Sequence, residues 1–347
     1  MYDYSLSEIR PSDRRGMAEL DALLKREGIR RDAHLDYTVG LYDYDGNLVA
    51  TGSCWANTLR CLAVDSAHQG EGLLNRVATH LVTFQLQRGN AHLFLYTKSG
   101  TAAFFADIGF HEIANVDGLV VFMENRRDGF SSFLENLATT RRAGRSAALV
   151  MNCNPFTCGH RALVERAAAE NDAAHLFVVS EDASFFPFAD RYELIRAGVA
   201  DLANVVLHRT ESYLVSQAVF PSYFLREERD VIGAQARLDA ALFVRIAESL
   251  GVARRYVGEE PFSEVTNIYN EIMREKLPEA GIELVVVPRT EADDVPISAS
   301  RVRQLIHDGR MDEVRALVPQ TTFDYFATDA GRETVRRIRE ADAVVHY

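Results

Sequence analysis

The chain has 347 residues, with 38 basic and 50 acidic side chains and a formal net charge of −12. Its hydrophobic fraction of 47% and charged fraction of 25% are typical of a globular protein and exclude a disordered chain. The length favours two domains. The negative charge opposes binding to a nucleic-acid backbone or an anionic membrane surface, and we expect neither partner.

The N-terminal segment, MYDYSLSEIRPSDRRG, has charges where a signal peptide needs an apolar run. No stretch reaches the roughly 18 apolar residues of a membrane span, so the sequence predicts a cytoplasmic protein. The cysteines, Cys54, Cys61, Cys153 and Cys158, form no CxxC pair. We therefore expect neither a disulfide framework nor a zinc site.

Residues 1–125 show strand patterns alternating with helical ones, which predicts one α/β domain. Asp45-Gly46 between two β-rich runs is a strong hairpin signal. Gly70 and Gly72 precede a segment with helical periodicity. The predicted elements are strands at 37–42, after the Asp45-Gly46 turn and at 59–64, a helix from Leu73, a strand at 92–97, a short helix ending at Gly109, and strands near His111 and Val120.

Residues 126–144 are polar and basic at both ends with a helical middle, and we interpret them as a connecting helix. Residues 145–347 then alternate buried strands with helices, which predicts a doubly wound parallel sheet. The predicted strands are 146–152, 175–180, 205–208, 255–258 and 282–287, the predicted helices 161–170, 191–202, 237–250 and 265–277, and a helical tail follows from Ser300.

The turn after the first strand of this sheet is the usual place for a phosphate cradle. Here it reads Asn152-Cys153-Asn154-Pro155-Phe156-Thr157-Cys158-Gly159-His160. Thr157 offers a hydroxyl, Gly159 allows close backbone approach, and His160 lies at a helix start, where free N–H groups favour an anion. The alternative is a capped helix with an incidental histidine.

A second candidate anion site is PISASRVR, which opens a later helix. Ser298 or Ser300 would cap this helix, and Arg303 lies three residues beyond Ser300, on the same side of the first turn. Hydroxyls, free N–H groups and a guanidinium together suit the far end of a triphosphate. The alternative is a serine-capped helix with a surface arginine.

Together the two segments resemble the nucleotidyltransferase superfamily, whose signatures are (H/T)xGH and ISxSxxR. The resemblance implies that the histidine and the helix N-termini stabilise charge on the α-phosphate while an incoming group displaces pyrophosphate in line. Thr157 stands where the HxGH form has its first histidine. This departure argues against an ordinary pantetheine-phosphate or nicotinate-mononucleotide adenylyltransferase.

The sequence is most similar in its motifs to the citrate lyase ligase family. The resemblance rests on MNCNPFTCGHRALVERAA, SEDASFFPFADRYELI, VGEEPFSEVTNIYNEIM and VPISASRVRQLI. It implies an AMP-forming ligase that uses ATP with Mg²⁺, activates acetate as acetyl-adenylate, and acetylates the thiol of the CoA-like prosthetic group on the citrate lyase acyl carrier subunit. Nothing in the composition or spacing indicates acetate.

The resemblance also implies roles for particular residues. The residues expected to contact ATP are polar residues and a glycine in the two motifs: Asn154, Thr157, Gly159, His160, Ser298, Ser300 and Arg303. Thr157 and His160 are the expected catalytic pair. Weaker candidates for substrate or nucleotide contact are Asp182, Arg191 and Glu259, the last with its neighbour Glu260. The alternative for Asp182 and Arg191 is a solvated loop and a helix-start ion pair.

Residues 1–125 resemble the GNAT acetyltransferases, with HQGEGL at the glycine loop and FFADIGFHEI near the end of the domain. The resemblance implies a mixed sheet, and a glycine loop at a helix start that accepts a pyrophosphate such as that of CoA. Ala67 stands where the GNAT pattern has Gln or Arg. Gly70 and Gly72 are thus candidates for binding the CoA-like arm, and a purely structural or docking domain is the alternative.

Two other functions stay open from the sequence. One is a GNAT acetyltransferase fused to an adenylyltransferase of cofactor metabolism, and the other is a regulatory protein that senses a nucleotide. Exchange of labelled pyrophosphate into ATP separates them: a ligase needs acetate, a cofactor-forming enzyme needs a phosphorylated acceptor, and a sensor shows no exchange.

Overall fold

The structure is a computed structural model of the chain. It describes residues 4–116, 118–214, 220, 223, 228–259, 264–292 and 295–344. The chain divides into two compact units, the first comprising Met1–Ser131 and Pro221–Leu238 and the second Ser132–Phe220 and Asp239–Tyr347. None of the helices in these described ranges combines the length and the apolar character that a bilayer crossing requires.

In the described part of the first unit, seven strands form one sheet in the order β1-β2-β3-β4-β5-β7-β6. The strands are β1 (Ser5–Glu8), β2 (Tyr37–Tyr42), β3 (Leu48–Trp55), β4 (Thr58–Val64), β5 (Phe94–Thr97), β6 (His111–Val116) and β7 (Val120–Glu124). Neighbouring strands are antiparallel except β4 and β5, which are parallel. The mixed sheet and the Asp45-Gly46 hairpin between β2 and β3 are both confirmed.

Three helices of this unit are α1 (Arg14–Arg26), α2 (Leu73–Gln87) and α3 (Ser99–Asp107). Helix α2 buries Leu73, Val77 and Leu81, whose spacing of four residues places them on one face toward the sheet. Asp13 caps α1 by accepting a hydrogen bond from the Gly16 N–H. The sequence analysis predicted α2 and α3 but neither β1 nor α1.

Strands β4 and β5 separate toward their carboxyl ends. They pair only at Thr58 with Phe94 and at Leu59 with Leu95, although β4 continues to Val64 and β5 to Thr97. The backbone groups beyond these pairs have no ladder partner in the other strand, so an opening lies between the two strand ends.

The second unit contains a five-stranded sheet in the described residues, with the order β10-β9-β8-β11-β12. The strands are β8 (Ser146–Met151), β9 (Ala173–Val178), β10 (Val205–Arg209), β11 (Val252–Gly258) and β12 (Glu283–Val287). All neighbours are parallel. The predicted doubly wound parallel sheet is confirmed, and the apolar runs of β8 and β9 reflect burial on both faces.

The order of the strands creates a switch point in this sheet. The chain lays β9 and β10 on one side of β8 and then returns to place β11 and β12 on the other side. Because right-handed crossovers then put the following helices on opposite faces, the carboxyl ends of β8 and β11 border a crevice. A ligand site is expected there.

Further helices are α4 (Gly129–Ala138), α5 (Cys158–Glu170), α6 (Phe188–Gly198), α7 (Glu228–Leu250), α8 (Glu264–Glu279), α9 (Ala299–His307), α10 (Met311–Val314), α11 (Gln320–Tyr325) and α12 (Asp329–Glu340), and β13 (Glu291–Ala292) pairs with β14 (Val295–Pro296). The predicted start of α5 at residue 161 was wrong: Thr157 is the N-cap, so the helix begins three residues earlier, at Cys158. Helix α7 begins nine residues before its predicted start at 237, because Gly233 and the charged residues 228–230 obscure the helical period.

Candidate functional site

A cavity of about 680 Å³ lies at the switch point of the second unit, within the size range of small-molecule sites. The ends of β8, β11 and β12 and the first turns of α5 and α9 contribute to its wall. Several residues singled out in the sequence line it, namely Thr157, Gly159, His160, Ser298 and Ser300. The fold therefore brings the two predicted motifs, 140 residues apart, to one cavity.

Thr157 and His160 form a reciprocal cap at the start of α5. The Thr157 hydroxyl accepts a hydrogen bond from the His160 N–H at 3.3 Å, and the Thr157 N–H donates to His160 Nδ1 at 3.1 Å. The hydroxyl also lies 3.0 Å from Nδ1. Since Nδ1 accepts a backbone hydrogen bond, it carries no proton, and the neutral ring carries its proton on Nε2.

Burial and, to a smaller extent, the nearby positive charge of Arg289 lower the pKa of His160 to about 4. At neutral pH the imidazole is therefore uncharged. Its Nε2–H is a neutral hydrogen-bond donor beside the Gly159 N–H in the first turn of α5, whereas the Cys158 N–H donates to the Leu317 carbonyl oxygen and the His160 N–H to the Thr157 hydroxyl. This arrangement suits a phosphoryl oxygen better than it suits a general base.

Gly159 allows the two helix starts to approach each other. A Cβ atom at this position would lie 3.2 Å from the carbonyl oxygen of Ile297, the residue immediately before the N-cap of α9. A side chain here would require the α5 turn and the segment that leads into α9 to move apart by a few tenths of an ångström. The glycine thus permits the close approach of the two motifs.

The start of α9 presents two hydroxyls to the same cavity. Ser298 is the N-cap and accepts a hydrogen bond from the Arg301 N–H at 3.1 Å. The Ser300 hydroxyl accepts one from Arg303 Nη2 at 3.1 Å. The N-terminus of α9 therefore faces the cavity with its free N–H groups and its positive dipole end.

Two other predicted ATP contacts, Arg303 and Asn154, are not among the described residues that line this cavity. Arg303 is only 1% exposed; it donates to the Asn154 carbonyl oxygen at 2.6 Å and to the Val344 carbonyl oxygen at 3.0 Å. The side-chain oxygen of Asn154 accepts the Phe186 N–H. Both residues connect the β8–α5 loop, residues 152–157, to its surroundings.

Arg191 and Asp182 also lie away from the cavity wall in the described residues. Arg191 is fully buried and donates to the backbone and side-chain oxygens of Asn152, both at 2.8 Å, and to the Val179 carbonyl oxygen. Asp182 is exposed and accepts the Phe188 N–H at the first residue of α6. Arg191 thus supports the β8–α5 loop, and Asp182 caps α6.

Glu259 is exposed and is likewise not among the described lining residues. Its backbone carbonyl accepts a hydrogen bond from Arg289 Nε at 2.9 Å. Glu260 lies outside the described residues. Among the described residues no group of three or more His, Cys, Asp or Glu side chains could hold a metal ion.

Arg289 is a cavity-lining cation that the sequence analysis missed. It follows β12 by two residues and is partly buried, and this burial lowers the pKa of its guanidinium. Its position in the sequence could have identified it. A basic residue just beyond the carboxyl end of a predicted parallel strand lies at the edge of the sheet where ligands bind.

The first unit contains its own cavity, of about 650 Å³, beside the opening between β4 and β5. Gly70 and Gly72 line its polar end with Lys98, and both glycines have left-handed backbone conformations, with φ of 87° and 73°. Gly72 is the N-cap of α2. The remaining wall is largely apolar and includes Leu62, Val64, Leu73, Tyr96, Phe104, Phe105 and Tyr223.

Comparisons with known proteins identify the relatives of this chain. The family model of the citrate lyase ligase C-terminal domain matches residues 146–326. A citrate (pro-3S)-lyase ligase from Klebsiella pneumoniae is 40% identical over 88% of this chain and 91% of its own length. The chain belongs to the citrate lyase ligase family. Its resemblance to that family in the four sequence segments is confirmed.

The family relationship extends over nearly the whole chain. The citrate (pro-3S)-lyase ligase of Escherichia coli K12 is 36% identical over 92% of this chain and 92% of its own length, so the similarity includes both units. Among solved structures, a GNAT-family acetyltransferase from Staphylococcus aureus Mu50 is 14% identical, covers 35% of this chain and 98% of its own, and has a TM-score of 0.30.

Proposed function

We propose that this member of the citrate lyase ligase family is an ATP-dependent, AMP-forming ligase that activates acetate and transfers the acetyl group to the acyl carrier subunit of citrate lyase. The relatives that match most of the chain are named as citrate (pro-3S)-lyase ligases. The observation that carries the proposal is the shared cavity at the switch point, where the α5 start with His160 and the α9 start with Ser298 and Ser300 face the same space.

The triphosphate of ATP binds between the two helix starts. Backbone N–H groups of both helices, the hydroxyls of Ser298 and Ser300, and the Arg289 guanidinium provide the donors and the positive charge. Mg²⁺ enters as part of the substrate, bound to the phosphates. The Nε2–H of His160 binds the α-phosphate, and Thr157 fixes the ring orientation and the tautomer of His160.

The reaction runs in two steps. An acetate oxygen forms a bond to the α-phosphorus, while the bond from that phosphorus to the bridging oxygen breaks and pyrophosphate leaves. The thiol of the carrier then attacks the carbonyl carbon of acetyl-adenylate and releases its proton to solvent. The bond from the carbonyl carbon to the phosphate oxygen breaks, so AMP leaves with one oxygen from acetate.

The cavity of the first unit holds the CoA-like arm of the carrier. The backbone N–H groups at Gly70 and Gly72, the N-terminus of α2 and Lys98 bind the pyrophosphate of the arm. The apolar wall between β4 and β5 accommodates the pantetheine chain. We assign this unit to arm binding rather than to an acetyl transfer of its own, and we infer that the protein works in the cytoplasm, where ATP is available.

The test is exchange of labelled pyrophosphate into ATP with the purified protein, measured with and without acetate. The proposal predicts exchange that depends on acetate. Exchange that requires a phosphorylated acceptor instead would favour a cofactor-forming adenylyltransferase. ATP binding without any exchange would favour a nucleotide-sensing protein. Either of these two results contradicts the ligase proposal.

A further inference from the structure

The β8–α5 loop, whose two ends line the proposed ATP cavity, is hydrogen-bonded by two buried arginines. Arg191 donates to the backbone and side-chain oxygens of Asn152 at the start of the loop. Arg303 donates to the Asn154 carbonyl oxygen at 2.6 Å in its middle. Both side chains are almost completely inaccessible to solvent, at 0% and 1% exposure. The loop position is therefore set by side chains outside the cavity wall.

Arg303 joins three parts of the second unit. Its Nη1 reaches the β8–α5 loop, its Nη2 donates to the Ser300 hydroxyl in the first turn of α9, and its Nε donates to the Val344 carbonyl oxygen at 3.0 Å. Hydrogen bonds from a charged donor are stronger than those between neutral groups. One guanidinium thus fixes the relative position of both phosphate-binding segments.

The third partner of Arg303 belongs to the C-terminal tail, residues 341–344, which follows α12. Val344 is 2% exposed and is part of the apolar core of the unit. Its carbonyl oxygen holds the Nε edge of Arg303, which leaves the Nη groups directed at the loop and at α9. The tail therefore restricts the rotation of the Arg303 side chain.

We propose that Arg303 is a positioning residue rather than a phosphate ligand, and that the C-terminal tail acts through it to hold the β8–α5 loop in its ATP-binding position. The proposal rests on the proposed function, because it assigns the loop to the ATP site. A displacement of about 1 Å at a catalytic segment can reduce a rate on the order of 100-fold. Loss of the tail should then impair adenylate formation even though the tail does not line the cavity.

The test compares two shortened chains. A chain that ends after residue 342 lacks the Val344 carbonyl, whereas a chain that ends after residue 345 keeps it as a peptide carbonyl and is the control. We expect the shorter chain to lose at least about tenfold in acetate-dependent pyrophosphate exchange, and the control to match the full chain. Equal exchange by both shortened chains, at full helical content, would overturn the proposal.

Substitution of the arginine gives an independent readout. Arg303→Lys keeps the positive charge but loses the three-way geometry, so we expect its exchange rate to fall as in the 342-residue chain. Arg301→Ala, on the same helix but with its side chain bonded to the Ala292 and Val295 carbonyls, should keep the parental rate. Combining Arg303→Lys with the 342-residue chain should add no further loss, because both changes break one connection.

The outcomes separate the possible roles of Arg303. If Arg303 bound phosphate directly, the 342-residue chain would retain its exchange rate and Arg303→Lys would raise only the ATP dissociation constant, measured by calorimetry. If the 342-residue chain does not fold, Arg303→Lys decides, and a parental exchange rate in that variant would refute the positioning role. If the full chain shows no acetate-dependent exchange, the proposed function fails, and ATP affinity of the same variants still tests the loop position.

Discussion

At the scale of single residues, the hydrogen bonding of His160 determines its chemistry. Its Nδ1 accepts from the Thr157 backbone, and burial lowers the pKa of the ring to about 4. The ring is therefore a neutral donor through Nε2, and in the proposed function it donates to an α-phosphate oxygen whose charge grows in the transition state. A charged imidazolium is not required for this role.

Replacing His160 tests this assignment. We expect His160→Ala to reduce acetate-dependent pyrophosphate exchange by roughly 10²–10³, the usual loss for one transition-state donor. His160→Gln should retain more activity than His160→Asn, since a glutamine amide reaches the position of Nε2 and an asparagine amide only that of Nδ1. His307→Ala, at the partly exposed C-terminal end of α9, is the control. A parental rate in His160→Ala would remove the histidine from the site.

Arg289 tests the charge of the site. It lines the cavity and is held by the Glu259 carbonyl. We expect Arg289→Ala to weaken ATP binding by about 10- to 100-fold, because a charge-assisted hydrogen bond to phosphate is lost. Arg289→Lys should recover part of the affinity. Calorimetric titration with ATP measures both, and an unchanged dissociation constant in Arg289→Ala would exclude the phosphate contact.

The residue types and spacing of the two motifs were enough to predict Thr157, Gly159, His160, Ser298 and Ser300, which all line the cavity. The positioning role proposed for Arg303 could not be predicted in the same way. Its hydrogen bonds go to backbone carbonyls of Asn154 and Val344. Because every residue has a backbone carbonyl, the residue types do not indicate which distant residues accept these bonds. The same holds for Arg191.

At the scale of elements, the local signals located helix centres better than helix ends. Helix α5 begins at Cys158 because the Thr157 hydroxyl and the His160 side chain satisfy N–H groups on each other's backbones. The sequence analysis instead placed these residues in the turn before the helix, with His160 at the helix start. A histidine at the third helical position is not the usual Glu or Gln of a capping box. The correct assignment places His160 on the helix itself.

The two ends of α2 allow a matched test of the arm site. Gly72 at its N-terminus and Gly89 after its C-terminus have similar φ values, 73° and 86°, and open space around a built Cβ. A valine at either position should lower the free energy of unfolding by a similar amount, on the order of 1–2 kcal/mol, because of its left-handed backbone conformation. Only Gly72 lines the cavity of the first unit.

We therefore expect Gly72→Val to spare acetate-dependent pyrophosphate exchange. Transfer from preformed acetyl-adenylate to the carrier thiol should slow by tenfold or more, because the valine side chain blocks the approach of the arm pyrophosphate to the backbone. A hydrogen-bonded contact to such a charged group contributes about 1.5–3 kcal/mol. Gly89→Val should keep both activities. Single-turnover transfer measured by mass spectrometry of the carrier gives the result. Equal transfer rates in the two variants would leave the first unit a structural or docking domain.

At the scale of the whole molecule, alternating strand and helix patterns predicted both sheets, whereas the membership of Pro221–Leu238 in the first unit was not predicted. The composition of this segment does not indicate which of the two units it packs against. The strand order of the second unit was not predicted either, because the handedness of a crossover does not determine which strands are neighbours. Strands β4 and β5 were each predicted, but their separation depends on register, which periodicity does not determine.

The second unit also contains a pH-sensitive element. His175 on β9 and His208 on β10 are 0% and 7% exposed, and their Nδ1 and Nε2 atoms lie 2.9 Å apart. Burial lowers their pKa values to about 4 and about 3. Since both values lie below the unfolded value of about 6.5, protons bind more readily to the unfolded chain. The pair therefore stabilises the fold fully above about pH 6.5, and this stabilisation is lost as the pH falls toward 4.

We expect the free energy of unfolding to fall between pH 6.5 and 4 by up to about 1.4 kcal/mol per pH unit for each of the two histidines. The double variant His175→Gln with His208→Gln should show a shallower decline, because glutamine does not titrate. Urea unfolding followed by circular dichroism at several pH values measures the difference, with His307→Gln as the control. Parallel pH dependences for the double variant and the parent would show that the pair does not contribute.

The central claim is that acetate attacks the α-phosphate of ATP in the second unit, and the fate of the acetate oxygens tests it most directly. The complete reaction is run with ¹⁸O-labelled acetate, ATP and the acyl carrier subunit, and the nucleotide and phosphate products are analysed by mass spectrometry. The account predicts one ¹⁸O atom in each AMP and none in pyrophosphate. Label in inorganic phosphate with formation of ADP, or AMP without label, would contradict it.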